Sequence, residues 1–423
     1  MNMSLRTDRH LVRAHARSER HLLVSIIAPT SEPRAGRQPV RTALILDRSG
    51  SMAGERKFDL ARDAVEQALR MLRPEDQFTL VVYDQEVDVL VPLTAATAEA
   101  KSLARSRLRD VEPRGSTDLC AGWMTGASPL AARLAVGSVS RVLILTDGLA
   151  NHGVTDHSAL VATAAELRGQ GVATSTFGVG ADFDERLLRD IAHEGGGNCY
   201  FVEAPAQIPD LLTSELGEAL EVVVRGAELR LELPAGADAV VLNRLRNQCV
   251  ADNSLRVELG DLVSGQELNV VVKLRFASGQ SGDNAIASAC VIDQIGRPLG
   301  SVEAIEWRYA TDDANDSQAR DVVVDREVAS LYAARARAEA TEANRRGDLA
   351  GARRVLERTA ERIRRYAHGD PTLAALWREL RDDVERYAEE TMSPMQLKAA
   401  FYVAESAAKG RAPDGRARRS PRR

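Results

Sequence analysis

The chain lacks several features that mark common classes of protein. Its four cysteines form no CxxC pair, which argues against a zinc site; they are Cys120, Cys199, Cys249 and Cys290. No apolar run reaches the roughly 18 residues of a membrane-spanning helix. The arginine-rich N-terminus is not followed by the apolar stretch of roughly 7–15 residues that a signal peptide carries. Cysteines this far apart in the sequence suit a reducing compartment, and the lack of a signal-peptide pattern then predicts a cytoplasmic protein.

Motifs of the main hydrolase classes are also missing. The sequence has no Gly-x-x-x-x-Gly-Lys-[Ser/Thr] loop for nucleotide phosphates and no Gly-x-Ser-x-Gly elbow around a serine nucleophile. His152 and His157 do not stand at HExxH spacing, and we interpret them as loop residues. A phosphate-accepting Asp47 would need a second aspartate where the chain has Ser49. We therefore do not expect an enzyme.

Charge is modest overall but unevenly distributed. The formal net charge is −5. Residues 409–423 hold seven Lys or Arg against one acid, a net +6, which leaves −11 on residues 1–408. We interpret 409–423 as a disordered, solubilising basic tail. A contact with nucleic acid or another acidic surface through this tail is the alternative.

Residues 40–220 alternate between strand-like and helix-like patterns. The apolar runs at 42–46 and 142–145 are typical of buried parallel strands, whereas residues 57–72 repeat apolar positions with the helical period. Strands alternating with helices predict an α/β domain with a doubly wound, mostly parallel sheet.

A different pattern begins near residue 221. Period-two alternation over 221–310 predicts an antiparallel β-sandwich. A similar strand at 21–28 lies in the N-terminal segment, 1–39, and we expect it to pair into the sandwich, which makes the α/β domain an insertion. Residues 318–408 have helical patterning and predict one antiparallel hairpin turning at 345–349.

Three short motifs bring small oxygen-bearing side chains to strand ends. Asp47-Arg48-Ser49-Gly50-Ser51-Met52 and Thr146-Asp147-Gly148 each follow a predicted parallel strand, and Gly115-Ser116-Thr117-Asp118 lies in a separate loop. Loops at the carboxyl ends of parallel strands meet at one edge of the sheet. Two carboxylates and three hydroxyls at one point suit a hard cation, Mg²⁺ first and Mn²⁺ or Ca²⁺ next. Helix capping explains one or two of these residues but not all of them.

At these residues the chain resembles the von Willebrand factor type A family. The metal-ion-dependent adhesion site of that family consists of Asp-x-Ser-x-Ser, a distant threonine and a distant aspartate, which match Asp47, Ser49, Ser51, Thr117 and Asp147. The resemblance implies that the hydroxyls bind the metal, that the aspartates bind it directly or through water, and that one position is open for a partner's carboxylate. The layout is also similar to bacterial proteins with a β domain and helical tail after this domain, and to inter-alpha-trypsin inhibitor heavy chains.

The resulting hypothesis is a divalent-metal-dependent protein-interaction module that binds an acidic residue of a partner. A metal-dependent phosphatase or hydrolase, or a structural subunit of a chelatase or AAA-type ATPase assembly, are the alternatives. Arg48 is interpreted either as flanking the open metal position or as a solvated surface residue. Met52 either lines the site or packs beneath its loop.

Overall fold

The computed structural model describes residues 1–30, 38–132, 138–250, 253–367 and 369–419. The chain divides into two compact units. One is the inserted unit, Glu32–Val222; the other, the flanking unit, joins Met1–Ser31 to Val223–Arg423.

The strands, in chain order, are β1 (Asn2–Thr7), β2 (Leu11–Arg13), β3 (Ser18–Ile27), β4 (Val40–Asp47), β5 (Gln77–Tyr83), β6 (Val87–Ala95), β7 (Val139–Thr146), β8 (Val172–Val179), β9 (Gly196–Val202), β10 (Val222–Glu232), β11 (Asp238–Val241), β12 (Asn247–Val250), β13 (Ser254–Val263), β14 (Glu267–Phe276), β15 (Asn284–Ile292) and β16 (Glu303–Ala310).

The α-helices are α1 (Lys57–Met71), α2 (Ala98–Arg109), α3 (Leu119–Ala132), α4 (His157–Gly169), α5 (Glu185–Glu194), α6 (Ile208–Leu220), α7 (Asp312–Ser317), α8 (Val322–Arg345), α9 (Leu349–Arg364), α10 (Pro371–Ala388) and α11 (Pro394–Ala408). Short 3₁₀ segments cover Gly50–Arg56 and Pro205–Gln207. No helix among the described ranges combines the length and apolarity needed to cross a bilayer.

The inserted unit is built on one sheet with strand order β6-β5-β4-β7-β8-β9. All neighbouring pairs are parallel except β5 with β6 at one edge. Every residue of the central strands β4 and β7 is buried, as expected where helices cover a parallel sheet. Helices flank the sheet, and Trp123 of α3 is fully buried in the core. The predicted α/β class with a doubly wound, mostly parallel sheet is confirmed.

The flanking unit contains two sheets, β1-β3-β14-β11 and β12-β13-β10-β15-β16-β2. Their apolar faces share one core, in which the rings of Phe276 and Trp307 pack at a tilt of 55° with centroids 5.2 Å apart. Strand β3, which precedes the inserted unit in sequence, lies between β1 and β14 and pairs with β14 from Ser18↔Phe276 to Ile27↔Glu267. The sheet is therefore completed by a strand that comes before the inserted unit in the sequence and pairs with one that comes after it.

The helical region differs from the single hairpin expected over 318–408. Helices α8 and α9 form that hairpin around a turn in which Gly347 has φ of 74°. Two further long helices follow in the described chain: α10 packs on α8 and α9, and α11 packs on α8. Their shared core is rich in alanine, including Ala333, Ala340 and Ala352. The one-hairpin prediction is wrong because alanine-rich faces give a weak apolar period.

The basic tail is not disordered in its described part. The backbone N–H of Glu267 donates to the carbonyl of Arg418 at 2.9 Å, and Gln266 forms an isolated bridge with Arg419. The expectation of disorder is therefore wrong for residues 409–419. Composition shows the charge of this segment but not the backbone hydrogen bonds that hold it. Residues 420–423 lie outside the described residues.

We expect the two units to differ when expressed separately. Residues 32–222 contain every strand of their own sheet and should melt cooperatively. Residues 223–423 lack β3, the strand that pairs with β14 over ten residues, and should not fold. Circular dichroism melts of both fragments check this. Restoring residues 1–30 to the second fragment through a long flexible linker should restore its transition; a cooperative melt without them would contradict the prediction.

Candidate metal centre

The two motif aspartates lie at the ends of neighbouring parallel strands. Asp47 is the last residue of β4, and Asp147 directly follows β7, with Leu46 paired to Leu145. Asp47 and Asp147 are 0% and 1% exposed. Two carboxylates are thus buried at one edge of the sheet, where they repel unless a cation or hydrogen-bond donors compensate them.

Both oxygens of Asp47 accept hydrogen bonds. The backbone N–H of Ser49 donates to Oδ1 at 2.7 Å, and the hydroxyl of Thr146 donates to Oδ2 at 2.5 Å. Burial raises the pKa of Asp47 to about 6, against hydrogen bonds from Thr146 and Ser49 that lower it, and nearby Asp147 raises it further. Thr146 is a contact of the candidate site that was not predicted from the sequence, although it lies beside Asp147 in the motif.

The serine hydroxyls form a chain that ends on the second aspartate. Ser49 Oγ and Ser51 Oγ are 3.1 Å apart, and Ser51 Oγ donates to Asp147 Oδ1 at 2.6 Å. Ser49 is the N-cap residue that precedes the 3₁₀ segment, but its side chain makes no capping hydrogen bond. Helix capping therefore does not account for the Ser49 hydroxyl.

A separate loop brings Thr117 to the same point. The backbone N–H of Gly50 donates to the carbonyl of Gly115 at 3.1 Å, which holds this loop against the first motif. Asn151 accepts from the Thr117 N–H at 2.8 Å. A Cβ added to Gly148 would lie 3.4 Å from Thr117 Oγ1 and 3.8 Å from Ser51 Oγ. Gly148 thus stands beside both hydroxyls, and the three motifs meet.

Lys57 also enters the site and was not anticipated. Its Nζ lies 2.6 Å from Asp147 Oδ2, and its side chain is 13% exposed. The sequence holds five lysines against 51 arginines, so a lysine ten residues after Asp47 is unusual for this chain. The small number of lysines could have singled out Lys57 in the sequence, but no motif spacing predicted its ion pair with Asp147.

Arg48 follows neither of the two interpretations made from the sequence. Its side chain is 7% exposed, and its guanidinium pairs with Asp84 Oδ2 at 3.1 Å and Asp88 Oδ2 at 2.7 Å. It is therefore neither a solvated surface residue nor available to flank an open metal position. Met52 is fully buried and packs beneath the loop.

The histidines do not join this site. His157 is the first residue of α4, and its Nε2 lies 3.0 Å from Asp190 Oδ2. His152 is an exposed loop residue whose backbone N–H donates to the Thr117 carbonyl at 3.2 Å. Within the described part of the chain, no three His, Cys, Asp or Glu side chains come together as a metal cluster.

The donor set fits a hard divalent cation. Its two carboxylates and three hydroxyls are all oxygen donors, which suit Mg²⁺, Mn²⁺ or Ca²⁺ better than zinc. The burial of Asp47 without a cationic side chain on either oxygen leaves a negative charge that such a cation would compensate.

Comparison with known proteins identifies the inserted unit. Residues 43–214 match the model of the von Willebrand factor type A domain. The Escherichia coli K12 protein YfbK is 25% identical over 235 residues, covering 54% of this chain and 40% of YfbK. Human inter-alpha-trypsin inhibitor heavy chain H4 is 32% identical over 165 residues, covering 38% of this chain and 18% of that protein. The chain thus spans less than half the length of these two relatives.

Solved structures share the fold. A von Willebrand factor type A protein from Catenulispora acidiphila has a TM-score of 0.74 at 19% identity, covering 95% of this chain and 96% of that one. The ArnB paralog VWA2 from Sulfolobus acidocaldarius has a TM-score of 0.60 at 16% identity, covering 96% and 98%. At these identities the likeness shows the fold alone. The match of residues 43–214 to the family model, together with the curated relatives, shows that the chain contains a von Willebrand factor type A domain, a type that commonly mediates metal-dependent protein interaction.

The raised pKa of Asp47 predicts a pH-dependent stability in the metal-free protein. Because its folded pKa, about 6, lies above the ordinary 3.8, folding favours the neutral form. The stability that the neutral Asp47 carboxyl gives to the folded state is fully present below pH 3.8 and is lost as pH rises through 6. It amounts to about 2–3 kcal/mol of unfolding free energy by linkage.

Urea unfolding in chelator measures this effect as the difference between wild type and Asp47→Asn. The amide mimics the neutral carboxyl and does not titrate. The unfolding free energy of the variant minus that of wild type should therefore be larger at pH 7 than at pH 4.5. An identical difference at both pH values would contradict the burial of an ionised Asp47.

Proposed function

We propose that the chain is a non-enzymatic binding protein whose von Willebrand factor type A domain holds a divalent cation and captures a carboxylate of a partner protein. The observation that carries this proposal is the hydrogen-bonded series Ser49–Ser51–Asp147, with separations of 3.1 and 2.6 Å at the sheet edge. A hydroxyl-rich, oxygen-only set of this kind suits Mg²⁺ first, with Mn²⁺ or Ca²⁺ as alternatives.

Each predicted ligand has a distinct part in this proposal. Ser49, Ser51 and Thr117 would hold the cation through neutral hydroxyls, and Asp47 and Asp147 would bind it directly or through water. Few charged ligands leave the cation electrophilic toward a further carboxylate, which is the chemistry it would supply. Arg48 has no part in partner binding, because Asp84 and Asp88 already pair its guanidinium.

Catalysis is the weaker alternative. Neither histidine near Asp147 in the sequence joins the oxygen donors, and His157 is paired with Asp190 instead. A phosphatase or hydrolase would need a base and a nucleophile beside the cation. A structural subunit of a chelatase or AAA-type assembly remains compatible with the same binding chemistry and differs only in the partner. The four unbridged cysteines support our proposal of a reducing compartment such as the cytoplasm.

Substitution of the ligands tests the metal site. Asp47→Ala and Asp147→Ala should abolish Mg²⁺ binding in titration calorimetry, while circular dichroism shows a retained fold. Thr117→Ala should weaken binding by about 1–2 kcal/mol, because water can replace one neutral ligand.

The neighbouring hydroxyl offers a matched control. Ser116 Oγ bonds to Gln85 Oε1 at 3.3 Å, so Ser116→Ala should bind Mg²⁺ as wild type does. Wild-type affinity in both aspartate variants would refute the ligand assignment.

Partner capture from native lysate tests the interaction. Chelator should release the partner and Mg²⁺ should restore it, whereas moderate salt should have less effect. Asp47→Ala should capture nothing. Binding of the partner that instead persists in chelator, and is lost both in salt and on removal of residues 409–423, would contradict this. That result would show that the basic segment, and not the metal site, binds the partner.

A further inference from the structure

Lys57 and Ser51 together occupy both oxygens of Asp147. The Ser51 hydroxyl donates to Oδ1 at 2.6 Å, and the Lys57 ammonium donates to Oδ2 at 2.6 Å. The Asp147 side chain is 0% exposed and that of Lys57 is 13% exposed, so this ion pair is largely shielded from solvent. A charge pair in such surroundings is screened much less than one on the surface.

The position of Lys57 is locally unfavourable. It is the first residue of α1, where the helix dipole disfavours a positive charge. The two residues before it, Glu55 and Arg56, have φ of 51° and 58°, the left-handed region that non-glycine residues rarely adopt. Such a conformation persists only where the surrounding structure compensates for it, and the ion pair between Lys57 and Asp147 follows these two residues directly.

Lys57 also lies where three strand ends converge. Asp47 and Asp147 follow β4 and β7, and a Cβ added to Gly180, just after β8, would lie 3.9 Å from Lys57 Nζ. The ammonium therefore lies between the Asp147 carboxylate and the loop that follows β8.

We propose that Lys57 is a built-in counter-ion that competes with the divalent cation for the charge of Asp147 and so sets the affinity of the site for metal. This inference rests on the proposed function. In the metal-free domain the single charge of Lys57 offsets one of two buried carboxylates. When a divalent cation binds, its two charges balance Asp47 and Asp147, and Lys57 becomes a like charge beside it.

This arrangement stabilises the metal-free domain and weakens metal binding. Asp147 keeps a paired, hydrogen-bonded environment without the cation, so its loop holds its position. Metal loading then becomes an exchange of one cation for another, which makes occupancy responsive to the free metal concentration. A site without the lysine would hold its metal more tightly and would be less stable when empty.

The test compares Lys57→Met with wild type by Mg²⁺ titration calorimetry and by thermal melting in chelator. Methionine keeps the length of the side chain and removes its charge. We expect about tenfold tighter Mg²⁺ binding, from the loss of a like charge near the ion, together with a lower melting temperature in chelator. Lys57→Arg, which keeps the charge, should retain affinity close to that of wild type.

Arg70→Met is the matched control, since it removes a charge from the other end of the same helix, where the side chain is 67% exposed. It should leave the Mg²⁺ affinity unchanged. Metal binding by wild type that is unchanged or weakened in Lys57→Met would overturn the counter-ion role and leave the proposed function intact. Equal tightening in Arg70→Met would also overturn it, because the effect would then be one of net charge.

Absence of Mg²⁺ binding in wild type but binding in Lys57→Met would support the competition and refute metal dependence in the native protein. Absence in both, with folded proteins, would refute the metal site itself and the inference with it.

Discussion

The repulsion between two buried carboxylates is the constraint on which the inserted unit depends at the edge of its sheet that carries the candidate site. Asp47 and Asp147 end neighbouring strands of a sheet whose central strands are buried throughout, so neither side chain can turn to solvent. Each of their oxygens accepts a hydrogen bond within the protein: from Ser49 and Thr146 on Asp47, and from Ser51 and Lys57 on Asp147. The conformations of the loops around the site place these four donors against the two carboxylates.

A second ionic group ties those loops to one another. The buried Asp84, which follows β5, accepts from Arg48 at 3.1 Å and from Arg114 at 2.8 Å. Its backbone carbonyl also accepts from the N–H of Asp118 at 2.8 Å. Arg48 belongs to the first motif and Arg114 leads into the loop of Thr117. One carboxylate therefore joins three loops, and the protein's own hydrogen bonds position the hydroxyls that these loops carry.

Much of the fold was predictable because the relevant signals are local. The apolar runs before Asp47 and Asp147 predict the two strands at whose ends these residues lie, and the alternation over 221–310 predicts half-buried strands. The partners of Arg48 and Lys57 were not predictable, because both contacts join loops distant in sequence and any charged side chain has several solvated alternatives. The four-helix arrangement after residue 321 was missed for a different reason: its alanine-rich contacts carry little hydrophobic contrast.

The pairing of β3 with β14 has a consequence for the order of events during synthesis. Ile27 pairs with Glu267, so the partner strand emerges about 240 residues later. At typical translation rates of about 5–20 residues per second, that delay is on the order of 10–50 s. During this time β1 can cover only one edge of β3, and the buried side chains Leu22, Val24 and Ile26 have no sandwich to enter. The nascent chain thus carries an open, apolar strand edge past the completion of the inserted unit, the situation in which newly made β proteins most need protection from one another.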